Sequence, residues 1–351
     1  MRRCSLVTGA VPSSCLLEVA CDESGSEGER LVGGNTDVFA HSSVHLGAEA
    51  AAWCIREIRA RIGSPALEYK ANHLLREKHR AVLTWLLGPS GPIFEHGRVY
   101  LADKAFFVVS RIVDVLVVGR DESWLAVPGT DQRNGSAAVT LYRDGERAFG
   151  RAQWQVFLES GNDLLRAKNR PGVLAPVESF FHMIDIMRSA GGSGRCAEVV
   201  ELLGAAKERA ASFRAGAVDG TAMPPAADPL VPAILCAVAF WGRHGQPISI
   251  IHDEQNVLSR EVVARLQRMA GGSSACDHLV PGRGRLAALR LVDSRADPRV
   301  QLADFLAGVA RKIASDALNH RADTELTELL RPYVDPASAW ADERSWSQLL
   351  P

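Results

Sequence analysis

The chain lacks the sequence signals of several protein classes. Its seven cysteines include no C-x-x-C pair, which argues against a zinc ribbon or a thioredoxin-type site. No Walker A sequence occurs, and no G-x-G-x-x-G follows a strand, so a nucleotide-binding switch protein is a weak hypothesis. No run reaches the roughly eighteen apolar residues of a membrane helix, and the longest one, 230–241, is interpreted as a buried helix.

The chain also has no excess of charge of one sign. The chain has 40 Lys and Arg against 41 Asp and Glu, a formal net charge of -1. The whole-chain balance therefore gives no support for nucleic-acid binding, which a strongly basic surface would indicate. Scattered cysteines, odd in number, are typical of free thiols in a reducing cytoplasm. Although Met1-Arg2-Arg3 resembles the start of a signal peptide, the stretch after it is short and weakly apolar, so we expect a cytoplasmic protein.

What is present is a hydrophobic content of 47%, enough for a globular core, arranged in alternating strand and helix patterns. Short runs rich in β-forming residues predict strands at 15–21, 37–46, 98–102, 247–252 and 285–292. Helical spacing predicts helices at 48–62, 72–87, 104–118, 151–169, 176–188, 196–214, 229–244, 257–270 and 299–317.

Strand-rich segments thus flank a helical block. The simplest arrangement is one α/β domain with a large all-α insertion, since two sequential domains would leave the C-terminal half with only two strands. The predicted boundaries follow the chain: a flexible tail at 1–14, the first part of the core at 15–125, a linker and helical insertion at 126–246, the second part of the core at 247–318, and a C-terminal extension at 319–351.

Two predicted strands end directly at an acidic pair, Asp22-Glu23 and Asp253-Glu254. Ligands of open α/β sheets gather at strand ends, and a divalent cation such as Mg²⁺ stabilises carboxylates that meet there. Because neighbouring residues of a strand face opposite ways, one member of each pair faces the site. Acidic residues also simply mark turns, and the segment 121–123 repeats the same D-E-S tripeptide in a predicted surface loop.

The helix predicted at 299–317 carries the clearest pattern. Its apolar stripe leaves a narrow strip on which Gln301, Asp304, Gly308 and Arg311 fall together. Gly308 lies one turn from Asp304 and leaves space for another chain or a ligand, at a cost of about 1 kcal/mol relative to Ala. An ordinary solvated face explains the same strip equally well.

Glu68 and Lys70 lie between two predicted helices in basic surroundings. The neighbouring cations are Arg56, Arg59, Arg61, Arg76, Lys78 and Arg80. This is the best local candidate for a patch that attracts phosphate, although charges of this kind on amphipathic helices more often serve solubility.

Four motifs in order resemble the domain of unknown function 3800 family. Its members have a strand ending D-E-S-G, an E-x-K segment, a later strand ending in Asp, and a final D-S…Q-x-A-D-x-x-A-G signature. These motifs stand here at Asp22 to Gly25, Glu68 to Lys70, Ile250 to Asp253, and Asp293-Ser294 with Gln301 to Gly308. They bracket residues 16 to about 312, and the middle of the chain is not covered.

The resemblance implies an RNase H-like fold, a mixed five-stranded sheet flanked by helices, with acidic residues gathered around Mg²⁺ or Mn²⁺. The choice of Asp22 and Asp253 over their neighbours rests partly on it. The predicted catalytic metal ligands are Asp22, Glu68, Asp253 and Asp304, while Lys70 and Gln301 would contact the substrate. Glu254 departs from the family, where a basic residue often follows the middle-strand Asp, and the helical block exceeds what a minimal member needs.

The leading prediction is a divalent-metal-dependent nuclease that hydrolyses phosphodiesters of DNA or RNA. The alternative is a non-catalytic RNase H-like scaffold whose helical insertion binds a protein partner or oligomerises, which the near-neutral charge favours. No membrane association is expected, and the pattern does not predict an oligomeric state.

Overall fold

A five-stranded mixed sheet organises the chain. The computed structural model describes residues 16–63, 71–119, 132–169, 172–173, 175–191, 194–218, 226–270 and 284–350. The strands are β1 (Leu17–Ser24), β2 (Val38–Val44), β3 (Gly97–Asp103), β4 (Pro247–Asp253) and β5 (Arg285–Val292). Their spatial order is β3-β2-β1-β4-β5. The pairs β1–β2 and β2–β3 are antiparallel, whereas β1–β4 and β4–β5 are parallel.

Helices pack on both faces of this sheet. Before β4 they are α1 (Ala48–Ile62), α2 (Ala71–Leu74), α3 (Arg80–Leu87), α4 (Lys104–Val113), α5 (Gln132–Phe149), α6 (Arg151–Leu165), α7 (Pro176–Ser189), α8 (Arg195–Gly204), α9 (Lys207–Val218) and α10 (Leu230–Trp241). After β4 they are α11 (Arg260–Met269), α12 (Pro298–Leu318), α13 (Thr324–Leu330) and α14 (Glu343–Leu349). The sequence-based expectation of a mixed sheet flanked by helices is confirmed.

Each face of the sheet has its own hydrophobic core. One core packs α12 with α1 and α3 over β2 and β3, through Ile58, Leu83 and Leu306 among others. The other packs α4, α10 and the helical stretch α5–α9 against the opposite face, through Phe107, Phe157 and Ile234 among others. Because both faces are covered, β4 is apolar on both sides, as its sequence PISIIHD shows.

The edge of the sheet at β3 is covered by the C-terminal extension. The main-chain N–H of Asp335 donates to the carbonyl of Val99 at 2.8 Å, and that of Ala339 donates to Leu101 at 2.8 Å. These bonds use donors and acceptors that an open edge would leave unpaired. The C-terminal segment therefore belongs to the packed core rather than hanging from it.

Several boundaries predicted from the sequence are wrong. The helix predicted at 72–87 is interrupted by a 3-10 turn at Glu77–His79, within a run of charged residues that has little apolar surface to bury. The helix predicted at 196–214 is two helices, α8 and α9. The linker predicted to begin the segment 126–246 gives way to α5 at residue 132. Gly145 allows this helix to pack closely, since a Cβ there would lie 2.3 Å from the Trp154 ring.

The expected flexible tail at 1–14 lies outside the described residues. None of the helices that the structure describes combines the length and the apolarity needed to cross a membrane. The four cysteines in the described parts of the chain, Cys21, Cys54, Cys196 and Cys236, are buried free thiols.

Candidate functional site

The candidate site lies where β1 and β4 end. These strands are parallel neighbours, and Cys21 pairs with His252 in the register, so Asp22 and Asp253 follow side by side. Alternation along each strand puts both aspartates on the face that α12 covers, because Ala20 and Ile251, two residues earlier, pack there against α12. The two carboxylates therefore come from adjacent strands and emerge on one face.

A hydrogen bond brings α12 to these strand ends. Ser42 of β2 pairs with Asp22 in the register, and its Oγ donates to the main-chain carbonyl of Ala303 at 2.6 Å. Asp304 is the next residue of the helix and is partly buried. The N-terminus of α12 is itself defined by Asp297, whose side chain accepts from the N–H of Arg299, and by Pro298 in the first turn. Three aspartates from distant parts of the chain thus lie on one face, at the same end of the sheet.

Gly308 explains how the chain fits around α12. A Cβ at this position would lie 2.3 Å from the Cβ of Ala71 and 3.9 Å from the Oγ of Ser24. The space left by Gly308 is therefore filled by α2 of the same chain. The strip carrying Gln301, Asp304, Gly308 and Arg311 is not a solvated face, since Gly308 is buried and the others are partly buried.

Burial and neighbouring negative charges act on the Asp22 carboxyl group. Burial, followed by the negative charges of Glu23 and Asp304, raises the pKa of Asp22 to about 9, and Asp253 adds to the effect. The main-chain N–H of Glu23 donates to Asp22 Oδ1 at 2.7 Å and partly offsets this. Without a counter-charge, Asp22 keeps its proton at neutral pH, because an anion there is both desolvated and repelled.

Asp253 and Gln301 are held by main-chain partners. The N–H of Ser294 donates to Asp253 Oδ1 at 2.9 Å, so the loop after β5 fixes this carboxylate. The Nε2 of Gln301 donates to the carbonyl of Arg295 at 3.1 Å. Gln301 lies three residues before Asp304 on α12, about one turn away from it.

Glu68 and Lys70, predicted as a metal ligand and a substrate contact, lie outside the described residues. The basic surroundings predicted for them are partly neutralised: Arg80 forms ion pairs with Glu77, Asp323 and Glu325, and Arg61 pairs with Glu57. Arg311 is a different cation beside the site. Its Nε donates to Ser24 Oγ at 3.0 Å, directly after the acidic pair of β1.

As they stand, the aspartates are not grouped closely enough to hold a metal ion. In the ranges for which coordinates are described, no three His, Cys, Asp or Glu side chains are grouped so that they could hold a metal ion. The donor set itself is suitable, because Asp22, Asp253 and Asp304 offer only carboxylate oxygens, the ligands that Mg²⁺ and Mn²⁺ prefer. The electrostatic surroundings are suitable too. Burial and negative neighbours raise the pKa of Asp22, and a bound cation would lower it again.

A second polar cluster, not predicted from the sequence, lies on the opposite face of the same strand ends. It comprises Glu23, His41, Asp228, His252 and Gln255. Glu23 and His252 are the alternate neighbours of the aspartates selected from the sequence, so the strand period could have indicated them. Burial, followed by the charges of Asp228 and Asp253, raises the pKa of Glu23 to about 8. Nothing in the sequence connects them to His41 or Asp228.

Comparison with known proteins adds no relative: no family model, no curated protein and no solved structure matches this chain.

Proposed function

We propose that this chain is an RNase H-like, divalent-metal-dependent phosphodiesterase that acts on DNA or RNA. The observation that carries the proposal is the convergence of Asp22, Asp253 and Asp304. They come from two adjacent parallel strands and from the helix that packs across them. Mg²⁺ or Mn²⁺ bound there would activate a water molecule and neutralise the charge that develops on the phosphate.

The residues of the chain have separable tasks in this proposal. Asp22, Asp253 and Asp304 would hold the cation, with Glu68 as a fourth carboxylate. The contact of Ser294 N–H with Asp253 and that of Ser42 with α12 would orient two of these ligands.

Substrate contacts would come from cations and amides at the rim of the cluster. Arg311, held by Ser24 and half-buried, brings a permanent positive charge to the end of β1, two residues beyond Asp22, and is suited to a phosphate oxygen. Lys70 and Gln301 would serve the same purpose, as the family resemblance implies. The charge that attracts nucleic acid would then be local, which agrees with the near-neutral chain as a whole.

A scaffold without activity is the alternative. Large apolar side chains are exposed on three successive helices of the helical block: Val156 on α6, Ile186 on α7 and Leu202 on α8 are 50%, 37% and 53% exposed. These side chains suit contact with a protein partner or a second copy. The absence of a ready coordination shell among the described residues also favours this function.

The deciding experiment is hydrolysis of labelled single- and double-stranded DNA and RNA by the purified protein, with Mg²⁺, with Mn²⁺ and with EDTA. Asp22→Asn and Asp304→Asn keep the size of the side chain while removing its charge. Asp316→Asn, on the same helix but engaged with Lys312 and Arg321, is the matched control. Metal-dependent cleavage that is lost in the first two variants and kept in the control supports the enzyme. If the folded protein cleaves none of these substrates and its melting temperature does not change with added metal, the scaffold is supported.

A further inference from the structure

Two histidines and a glutamate meet on the sheet face opposite the three aspartates. Glu23 of β1 pairs with His41 of β2, and His252 of β4 pairs with Cys21, two residues before Glu23. All three side chains therefore project to the same side of adjacent strands. His41 and His252 are 1% and 0% exposed, and the Glu23 side chain is 6% exposed.

Two of the separations between their atoms are short enough for a shared ion. The Nε2 atoms of His41 and His252 lie 3.3 Å apart, and His252 Nε2 lies 3.8 Å from Glu23 Oε2. Two donors each about 2.1 Å from a common ion lie at most about 4.2 Å apart. Both separations are within that limit.

Hydrogen bonds with neighbouring groups leave His252 Nε2 and Glu23 Oε2 available as ligands. His252 Nδ1 is 3.0 Å from the carbonyl oxygen of Asp253, so Nδ1 carries the proton and Nε2 presents its lone pair to the cluster. Gln255 Nε2 donates to Glu23 Oε1, which leaves Glu23 Oε2 buried and without a hydrogen-bond partner. A buried carboxylate oxygen without a partner is costly unless a ligand satisfies it.

A further carboxylate lies close to the cluster. Asp228, held by the N–H of Leu230 at 2.9 Å, adds negative charge close to Glu23.

We propose that His41, His252 and Glu23 form a second cation site, which takes one divalent transition-metal ion and is separate from the aspartates on the other face. Two imidazoles with one carboxylate select Zn²⁺, Co²⁺ or a similar ion over Mg²⁺ and Ca²⁺, which prefer all-oxygen sites. Among the described residues no three such side chains are grouped so that they could hold a metal ion, so binding requires the Glu23 carboxylate to leave Gln255 and move towards the histidines.

A structural explanation competes with this proposal. One imidazole can donate its Nε2 proton to the other across 3.3 Å, which would make the pair a buried hydrogen bond and nothing more. The two explanations differ in what the protein binds, so a metal titration separates them.

Co²⁺ is the probe, because its visible absorption reports the ligands directly. The full-length protein is freed of metal with EDTA, dialysed and titrated with Co²⁺. We expect one equivalent to bind with intense ligand-field bands, to be displaced by Zn²⁺ and to be unaffected by Mg²⁺. His252→Gln and Glu23→Gln should each weaken binding about tenfold or more, since even outer-shell changes have effects of that size. The control is His96→Gln, an exposed histidine.

If a histidine variant does not fold, a second measurement can be made on the wild-type protein. X-ray absorption of the Zn²⁺-loaded form should show scattering from two imidazoles. Absence of stoichiometric Co²⁺ binding by the wild-type protein, or equal binding by the wild type and folded His252→Gln, would overturn the proposal. Asp22→Asn and Asp304→Asn should abolish nuclease activity yet keep the Co²⁺ spectrum, so failure of either proposal is recognisable separately.

Discussion

The burial of Asp22 predicts a specific pH dependence of stability in the metal-free protein. Its pKa is about 9 in the folded chain, against an ordinary value of 3.8. Between these values the folded protein binds one proton more than the unfolded chain does. This contribution to stability is complete below about pH 4 and is lost as the pH rises towards 9.

The magnitude follows from the number of protons. One proton changes the free energy of unfolding by about 1.4 kcal/mol per pH unit, or about 4 kcal/mol between about pH 5 and about pH 8. The side chain of Asp22→Asn cannot lose a proton. Between about pH 5 and about pH 8 the free energy of unfolding of this variant should therefore fall by about 4 kcal/mol less than that of the wild type. Glu23, whose pKa is also raised, contributes in the same direction to both proteins.

The assay is urea unfolding in EDTA at a series of pH values, for the wild type and for Asp22→Asn. Glu254→Gln, an exposed carboxylate at the end of the neighbouring strand, should follow the wild type. If the curves of wild type and Asp22→Asn run parallel across this pH range, the carboxyl is solvated in the folded protein. The crowding of charges on which the site depends would then be refuted.

Three further outcomes are expected. Mg²⁺ or Mn²⁺ at one hundred times its Kd should raise the free energy of unfolding by about 2.7 kcal/mol, and Asp304→Ala should lose this gain in a thermal melt. Gly308→Ala should destabilise the protein by about 1–3 kcal/mol because of its contact with Ala71, whereas Gly216→Ala, in open space on α9, should stabilise it by up to about 1 kcal/mol; equal effects would contradict the packing. Ser42→Ala should cost about 1 kcal/mol in chemical denaturation through its lost bond to α12.

Local patterns in the sequence determined much of the framework. The helical spacing at 48–62 and the β-forming run at 285–292 agree with α1 and β5 residue for residue. The strands carrying Asp22 and Asp253 and the helix carrying Asp304 were also recognisable, although β1 continues to Ser24 where a strand end at residue 21 was predicted. In these segments periodicity and turn residues favour the same structure that the core requires.

Packing between distant segments decided the rest. Helix α5 contains two glycines, which are poor helix formers, and its Gly145 leaves room for the Trp154 ring. The interruption before α3 lies where Arg76, Glu77 and Lys78 are exposed and pack against no core. Propensity is a weak prior in such segments, because tertiary contacts override it.

The same division holds for the site. Alternation along a strand is a local property, so the sequence alone determined that Asp22 and Glu23 face opposite ways. Which face α12 covers is decided by packing between distant segments, and within it Ser42 bonds to Ala303, 261 residues further along the chain. Likewise, only the strand order β2-β1-β4 brings His41 within 3.3 Å of His252. Sequence spacing determines direction and period, whereas proximity depends on which elements bury their apolar faces together.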